Sequence, residues 1–186
     1  MGLLTPHQIG EMGFAAVGSD VRISDRCSIY GAGSIRLGDH ARIDDFAVLT
    51  AREPLVIGSY VHVSAFVFLS GQFGIEIGDF VNVSPRATLL SGNDDFSGRW
   101  LPGPFAPPEL RGLRGEPIRL GRYSMVGAHS VVLPGASLGE GAVVGALSLV
   151  KEPLPPWGVY AGVPARRIRR RRRDVEAHAA GLERRT

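Results

Sequence analysis

Among the residues able to do chemistry, His62 stands out by its spacing. Steps of twenty residues give Arg22, Arg42, His62 and Asn82, and Met125 continues this column after an irregular interval. A neutral imidazole, which titrates near ~6.5 when unperturbed, is the side chain best matched to taking a proton at neutral pH. Asp94 and Asp95, in the run SGNDDFSG, are acids that can hold the second imidazole nitrogen or bind hydroxyl groups. Beside Asn and Ser such acids also serve as turn formers. Asn82 and Ser64 share the neighbourhood of His62 and count with Asp94 and Asp95 as candidate substrate-binding residues. The lone Cys27 cannot form an internal disulfide, and it falls on an apolar column, where a thiol is an inert core group.

The elements that must position these residues are written in a six-residue period. From Leu120 to Val150 an aliphatic residue returns at every sixth position: Leu120, Val126, Val132, Leu138, Val144 and Val150. Small residues precede them by two at Ser124, Ser130, Ala136, Ala142 and Ser148, and Gly follows at Gly121, Gly127, Gly139 and Gly145. Neither an α-helix nor an alternating strand has this period. A parallel β-helix does, because each hexad makes one short strand and a corner. The same pattern runs earlier through Val17, Ile23 and Ile29, then Leu37, Ile43 and Leu49, then Ile57, Val63 and Leu69, then Ile77, Val83 and Leu89. Each set begins twenty residues after the last, so three hexads make a coil and two extra residues fall at one corner, beside Ile35, Leu55, Ile75 and Ile118.

Three segments follow. Residues 1–16 hold a short helix opened by Thr5, Pro6 and Gln8. Residues 17–164 form the β-helix, interrupted by a loop over 91–117 that is rich in Pro and Gly and too long for a casual connection. Its Phe96, Trp100 and Phe105 favour docking onto another surface. Residues 165–186 form a basic tail, read as helical, whose nine arginines against three acids carry the excess behind the net +3. No signal peptide or membrane span is apparent, so a cytoplasmic location is the simplest inference.

The hexads, the projecting loop, the run VGAHSVVLPGASLGEGAVVGALSLV and the close YAGVPARRI resemble the hexapeptide-repeat acyltransferases. The likeness covers roughly Met12 to Arg169 and is strongest after Arg119, with the galactoside, maltose and surface-polysaccharide sugar O-acetyltransferases matching best. It implies an all-β fold: a left-handed parallel β-helix of hexapeptide repeats with one projecting loop and a short C-terminal helix. It implies acetyl-CoA as co-substrate, a homotrimer, and an active site between neighbouring copies. In the galactoside enzymes the position matching His62 holds an aromatic that contacts the sugar. Their catalytic histidine lies near the start of the loop, where this chain has Asp94 instead. The base is therefore His62 or a loop carboxylate. By the same resemblance Ala128 and Ala146 would offer backbone groups to the pantetheine arm, Lys151 follows at the next corner, and Arg166 and Arg169 match basic residues near the nucleotide phosphates. Guanidinium groups suit phosphate oxygens. Arg170 to Arg173 read as a solvated run, and His129 as a surface residue.

The reading that results is transfer of an acetyl group from acetyl-CoA to a sugar hydroxyl, less readily an amine. The acceptor is a nucleotide- or lipid-linked sugar of surface polysaccharide. With no reactive cysteine facing the pocket, direct transfer is favoured over an acyl-enzyme. A hydratase of the carbonic-anhydrase type shares this fold, but it needs three converging histidines. His7, His40, His62, His129 and His178 contain no close pair, so no metal is expected. A non-catalytic assembly protein on the same helix would keep the hexads and lose the pocket. The basic tail is too short to make nucleic acid the expected partner, though weak attraction to an anionic membrane surface fits its charge.

Overall fold

A computed structural model describes residues 2–184. Three parallel sheets form the faces of a coil. The first face stacks Ala16–Val17, Ile35–Leu37, Leu55–Ile57, Ile75–Ile77, Ile118–Leu120 and Ser137–Leu138. The second stacks Arg22–Ile23, Arg42–Ile43, His62–Val63, Asn82–Val83, Met125–Val126, Val143–Val144 and Gly158–Ala161, and ends in an antiparallel strand, Arg166–Arg170. The third stacks Ser28–Tyr30, Val48–Ala51, Phe68–Gly71, Thr88–Leu90, Val131–Val132 and Leu149–Val150.

Register follows the hexads. Ile35, Leu55, Ile75 and Ile118 are mutual partners, as are Ile43, Val63, Val83 and Val126, and all are buried. Leu49, Leu69 and Leu89 line the third face from inside. Each such side chain contributes ~1.5–3 kcal/mol by leaving water. Glycine follows the inward aliphatic because the next coil is too close for a side chain. A Cβ on Gly127 would lie 2.5 Å from the Ala146 nitrogen.

The corners carry a cost. Tyr60, Phe80, Tyr123 and Trp157 hold φ between 55 and 62°, a left-handed conformation that non-glycine residues seldom adopt. Stacking offsets it. His40 and Tyr60 lie 4.6 Å apart, Tyr60 and Phe80 4.9 Å, Phe80 and Tyr123 5.5 Å, and Tyr123 and Trp157 6.2 Å, all at the corner between the first and second faces.

At the N-terminus helix α1 (Pro6–Glu11) is capped reciprocally by Thr5 and Gln8, as the sequence indicates. The tail departs from the helix expected of it. Arg166–Arg170 pairs with Gly158–Ala161 because that strand would otherwise leave an open edge, and the helix, α2, is confined to Asp174–Glu183. Val175 and Ala179 of α2 pack over Phe80, Tyr123 and Trp157. The solvated run holds for Arg170, Arg172 and Arg173, which are exposed, and is corrected at Arg171, which is half-buried. Arg171 donates to the Tyr123 carbonyl at 2.6 Å and the Gly141 carbonyl at 3.1 Å, Arg172 pairs with Asp174, and Arg173 lies 4.7 Å from the Trp157 ring centre. Carbonyls at the corners and the Trp157 ring give Arg171 and Arg173 partners in the chain itself.

Cys27 is half-buried against the core, and burial pushes its thiol up to about 11, which leaves negligible thiolate at neutral pH.

Candidate active site

The period of twenty places Arg22, Arg42, His62, Asn82 and Met125 side by side on the outer surface of the second face. Outward side chains alternate with the buried aliphatics, so two residues beyond this column runs a second one: Ser24, Asp44, Ser64 and Ser84. Asp44 joins the two. Its Oδ2 lies 2.7 Å from His62 Nε2, and its Oδ1 accepts from Arg42 Nε at 2.7 Å. Burial alone would raise the Asp44 carboxyl, the largest single influence on it, but Arg42 and His62 together outweigh burial and hold it below the ordinary value. An ionised Asp44 accepts a hydrogen bond from Nε2–H, which fixes the neutral imidazole as the Nε2–H tautomer. Its Nδ1 lone pair is then the basic one. The His62 side chain is 40% exposed, so an incoming ligand can reach it.

Of the other acceptor candidates, Ser64 is buried beside this group, and Asn82 donates through Nδ2 to Ser84 Oγ at 3.1 Å. Sequence reasoning passed over Asp44 and Ser84. The loop carboxylates lie elsewhere. The loop leaves the third face after Leu90, pairs Gly92–Asn93 with Arg114–Gly115, and rejoins the first face at Ile118. Asp94 accepts from the Gly103 nitrogen at 3.1 Å and, with Gln72, Asn93 and Arg111, lines a 220 Å³ recess. Asp95 accepts from the Ser97 hydroxyl at 2.8 Å, the main cause of its lowered pKa, and from the Arg99 nitrogen at 3.1 Å. It is a turn former. Neither acid meets the imidazole of its own chain, because the loop springs from the corner between third and first faces while His62 lies on the second.

Ala128 and Ala146 lie one above the other at the corner between second and third faces, where the Leu147 nitrogen donates to the Ala128 carbonyl at 2.9 Å. Arg166 and Arg169 are exposed on the last strand, opposite Ala161 and Val159, at the end of the second face. Lys151 is set apart from them, past the third face and 3.9 Å from Glu152. A larger recess of 580 Å³ runs along the aromatic corner past Asp39, Tyr60, Asp79 and Phe80, but Asp39 and Asp79 there are engaged by Ser19 and Ser59. Among the described residues no cluster of His, Cys, Asp and Glu fits a metal ion.

Relatives match this chain end to end. The dTDP-4-amino-4,6-dideoxy-D-glucose acyltransferase of Escherichia coli is 37% identical over 176 residues, spanning 94% of this chain and 92% of that protein. The chain belongs to the hexapeptide-repeat sugar acyltransferases. AntD, an N-acyltransferase from Bacillus cereus, superimposes with a TM-score of 0.95 at 36% identity. That superposition covers 100% of this chain and 99% of AntD, here a variant in complex with dTDP-4-amino-4,6-dideoxyglucose and coenzyme A. Another complex of AntD holds dTDP and 3-hydroxybutyryl-CoA. The maltose O-acetyltransferase of Clostridium difficile 630 shares the left-handed β-helix at a TM-score of 0.59 and 21% identity, covering 88% of this chain and 73% of that one. No family model matches the chain. The preference for a hydroxyl acceptor came from resemblance to the O-acetyltransferases. The relatives aligned over nearly the whole chain are the amino-sugar enzymes, and the O-acetyltransferase shares the fold alone.

Proposed function

We propose that this chain transfers an acyl group from a coenzyme A thioester to the amine of a dTDP-linked 4-amino-4,6-dideoxyhexose, in sites built between the copies of a trimer. The end-to-end likeness to AntD, whose complex holds both such an acceptor and coenzyme A, carries this reading. The second face supplies the chemistry. The amine nitrogen attacks the thioester carbonyl, the C–S bond breaks, and the proton shed by nitrogen passes through His62 Nδ1 to the departing thiolate. Asp44 stabilises the imidazolium formed on the way. Asp94, Asn82 and Ser64 are assigned to the acceptor, with the Asp94 loop reaching His62 of a neighbouring copy. Ala128, Ala146, Arg166 and Arg169 are assigned to coenzyme A. Small side chains at Ala128 and Ala146 leave the corner backbone open to the pantetheine arm.

Release of free thiol should be followed with acetyl-CoA and 3-hydroxybutyryl-CoA, each against dTDP-4-amino-4,6-dideoxyglucose and against the dTDP sugar bearing a 4-hydroxyl. The amine should react and yield an amide by mass spectrometry. Faster turnover of the hydroxyl analogue would restore the O-acyl reading, and turnover of neither would reject the assignment.

A further inference from the structure

The corner between the second and third faces carries a second aromatic stack. In successive coils it presents Arg26, Phe46, Phe66, Arg86, His129 and Leu147, each joined by backbone hydrogen bonds of 2.9–3.2 Å to the coil before from Phe46 onward. The Phe46 and Phe66 rings lie 5.0 Å apart and 23° from parallel. Whereas Tyr123 and Trp157 on the other corner are buried under α2, these rings are 46% and 48% exposed, although both residues hold a φ of 60°. Guanidinium groups bracket the pair, with Arg86 5.0 Å from the Phe66 ring centre and Arg26 5.9 Å from that of Phe46. Open π-faces between two cations have the chemistry of a nucleotide: the base stacks and the diphosphate pairs with guanidinium.

We propose that the nucleotide of the acceptor seats here, its base on Phe46 and Phe66 and its diphosphate facing Arg86 and Arg26. This rests on the function proposed above and adds where the nucleotide is held. Position supports it. Phe66 follows His62 by four residues in the same coil, a span of at most roughly 14 Å. Ala128 and Ala146 occupy the same corner in later coils, so the two nucleotides would enter one groove from opposite ends and bring amine and thioester together between them.

The test is calorimetric titration of the full chain with dTDP and, separately, coenzyme A, comparing wild type with Phe66→Leu, which keeps apolar bulk without a π-face, and Arg86→Gln. Sedimentation of each protein accompanies the titrations. Both substitutions should weaken dTDP at least about tenfold, the scale of one lost stacking or charge-assisted contact, and raise the KM for the amino sugar. Coenzyme A affinity and mass should stay unchanged. Unaltered dTDP affinity in both variants would overturn the assignment while leaving the acyltransferase reading intact. A lower mass in Phe66→Leu would also overturn it, making the ring pair a contact between copies. If wild type binds coenzyme A and not dTDP, it is the acceptor proposed above that fails, and this inference with it.

Discussion

His62 touches the reacting group in this reading, whereas Asp44 acts only through it, and kinetics should separate the two. His62→Ala should lower kcat by ~10²–10⁴-fold, the range for a positioned base, with coenzyme A binding preserved. Asp44→Asn should cost less and displace the pH profile of kcat, because the imidazolium loses its anion. Retention of most activity in His62→Ala, with loss in Asp94→Asn, would transfer the base to the loop. A stability effect accompanies the kinetic one. The Asp44 carboxyl titrates below its ordinary value of ~3.9. Its contribution is therefore fully present above that value and is lost as pH falls through the lower folded one. The difference in melting temperature between wild type and Asp44→Asn should narrow as pH falls below about 4. His62 was legible because a period of twenty fixes its column. Asp44 was not: it sits 18 residues from His62, a diagonal contact set by side-chain direction, and the positions stacked on it hold serine.

Elements built from hexads can be read ahead, since an inward aliphatic and a following glycine specify both the strand and the closeness of the next coil. Ile35, Leu55, Ile75 and Ile118 stack as their spacing indicates. The tail could not be read this way. Its arginines look solvated until the carbonyls left at the Tyr123 and Gly141 corners and the indole of Trp157 are placed beside them. Arg171 thus fastens α2 to the aromatic corner. Arg171→Ala should destabilise the fold by about 1–3 kcal/mol, the value of a charge-assisted hydrogen bond at a half-buried site. Denaturant titration measures this, and Arg171→Lys, which keeps one donor, should recover part of it. An unchanged midpoint in Arg171→Ala would return Arg171 to the solvated run.

At the scale of the whole molecule, the residues of the proposed site are spread over different faces of one chain. The loop and His62 belong to different sides of the coil, and Phe96 and Phe105 at the loop's tip are 89% and 100% exposed in the single chain. Apolar tips of this kind are expected to be covered by a neighbour. Sedimentation should give a trimer across the protein concentrations used for assay, and an active monomer would end the shared-site reading. The loop itself enters and leaves with no effect on stacking: Thr88 before it pairs with Val131 after it, and Ile75 with Ile118. Doubling such an insertion adds only ~0.6 kcal/mol of closure entropy. The loop is therefore an exchangeable cassette: residues 91–117 can be rewritten, Asp94 with them, while every rung beneath keeps the partners it had.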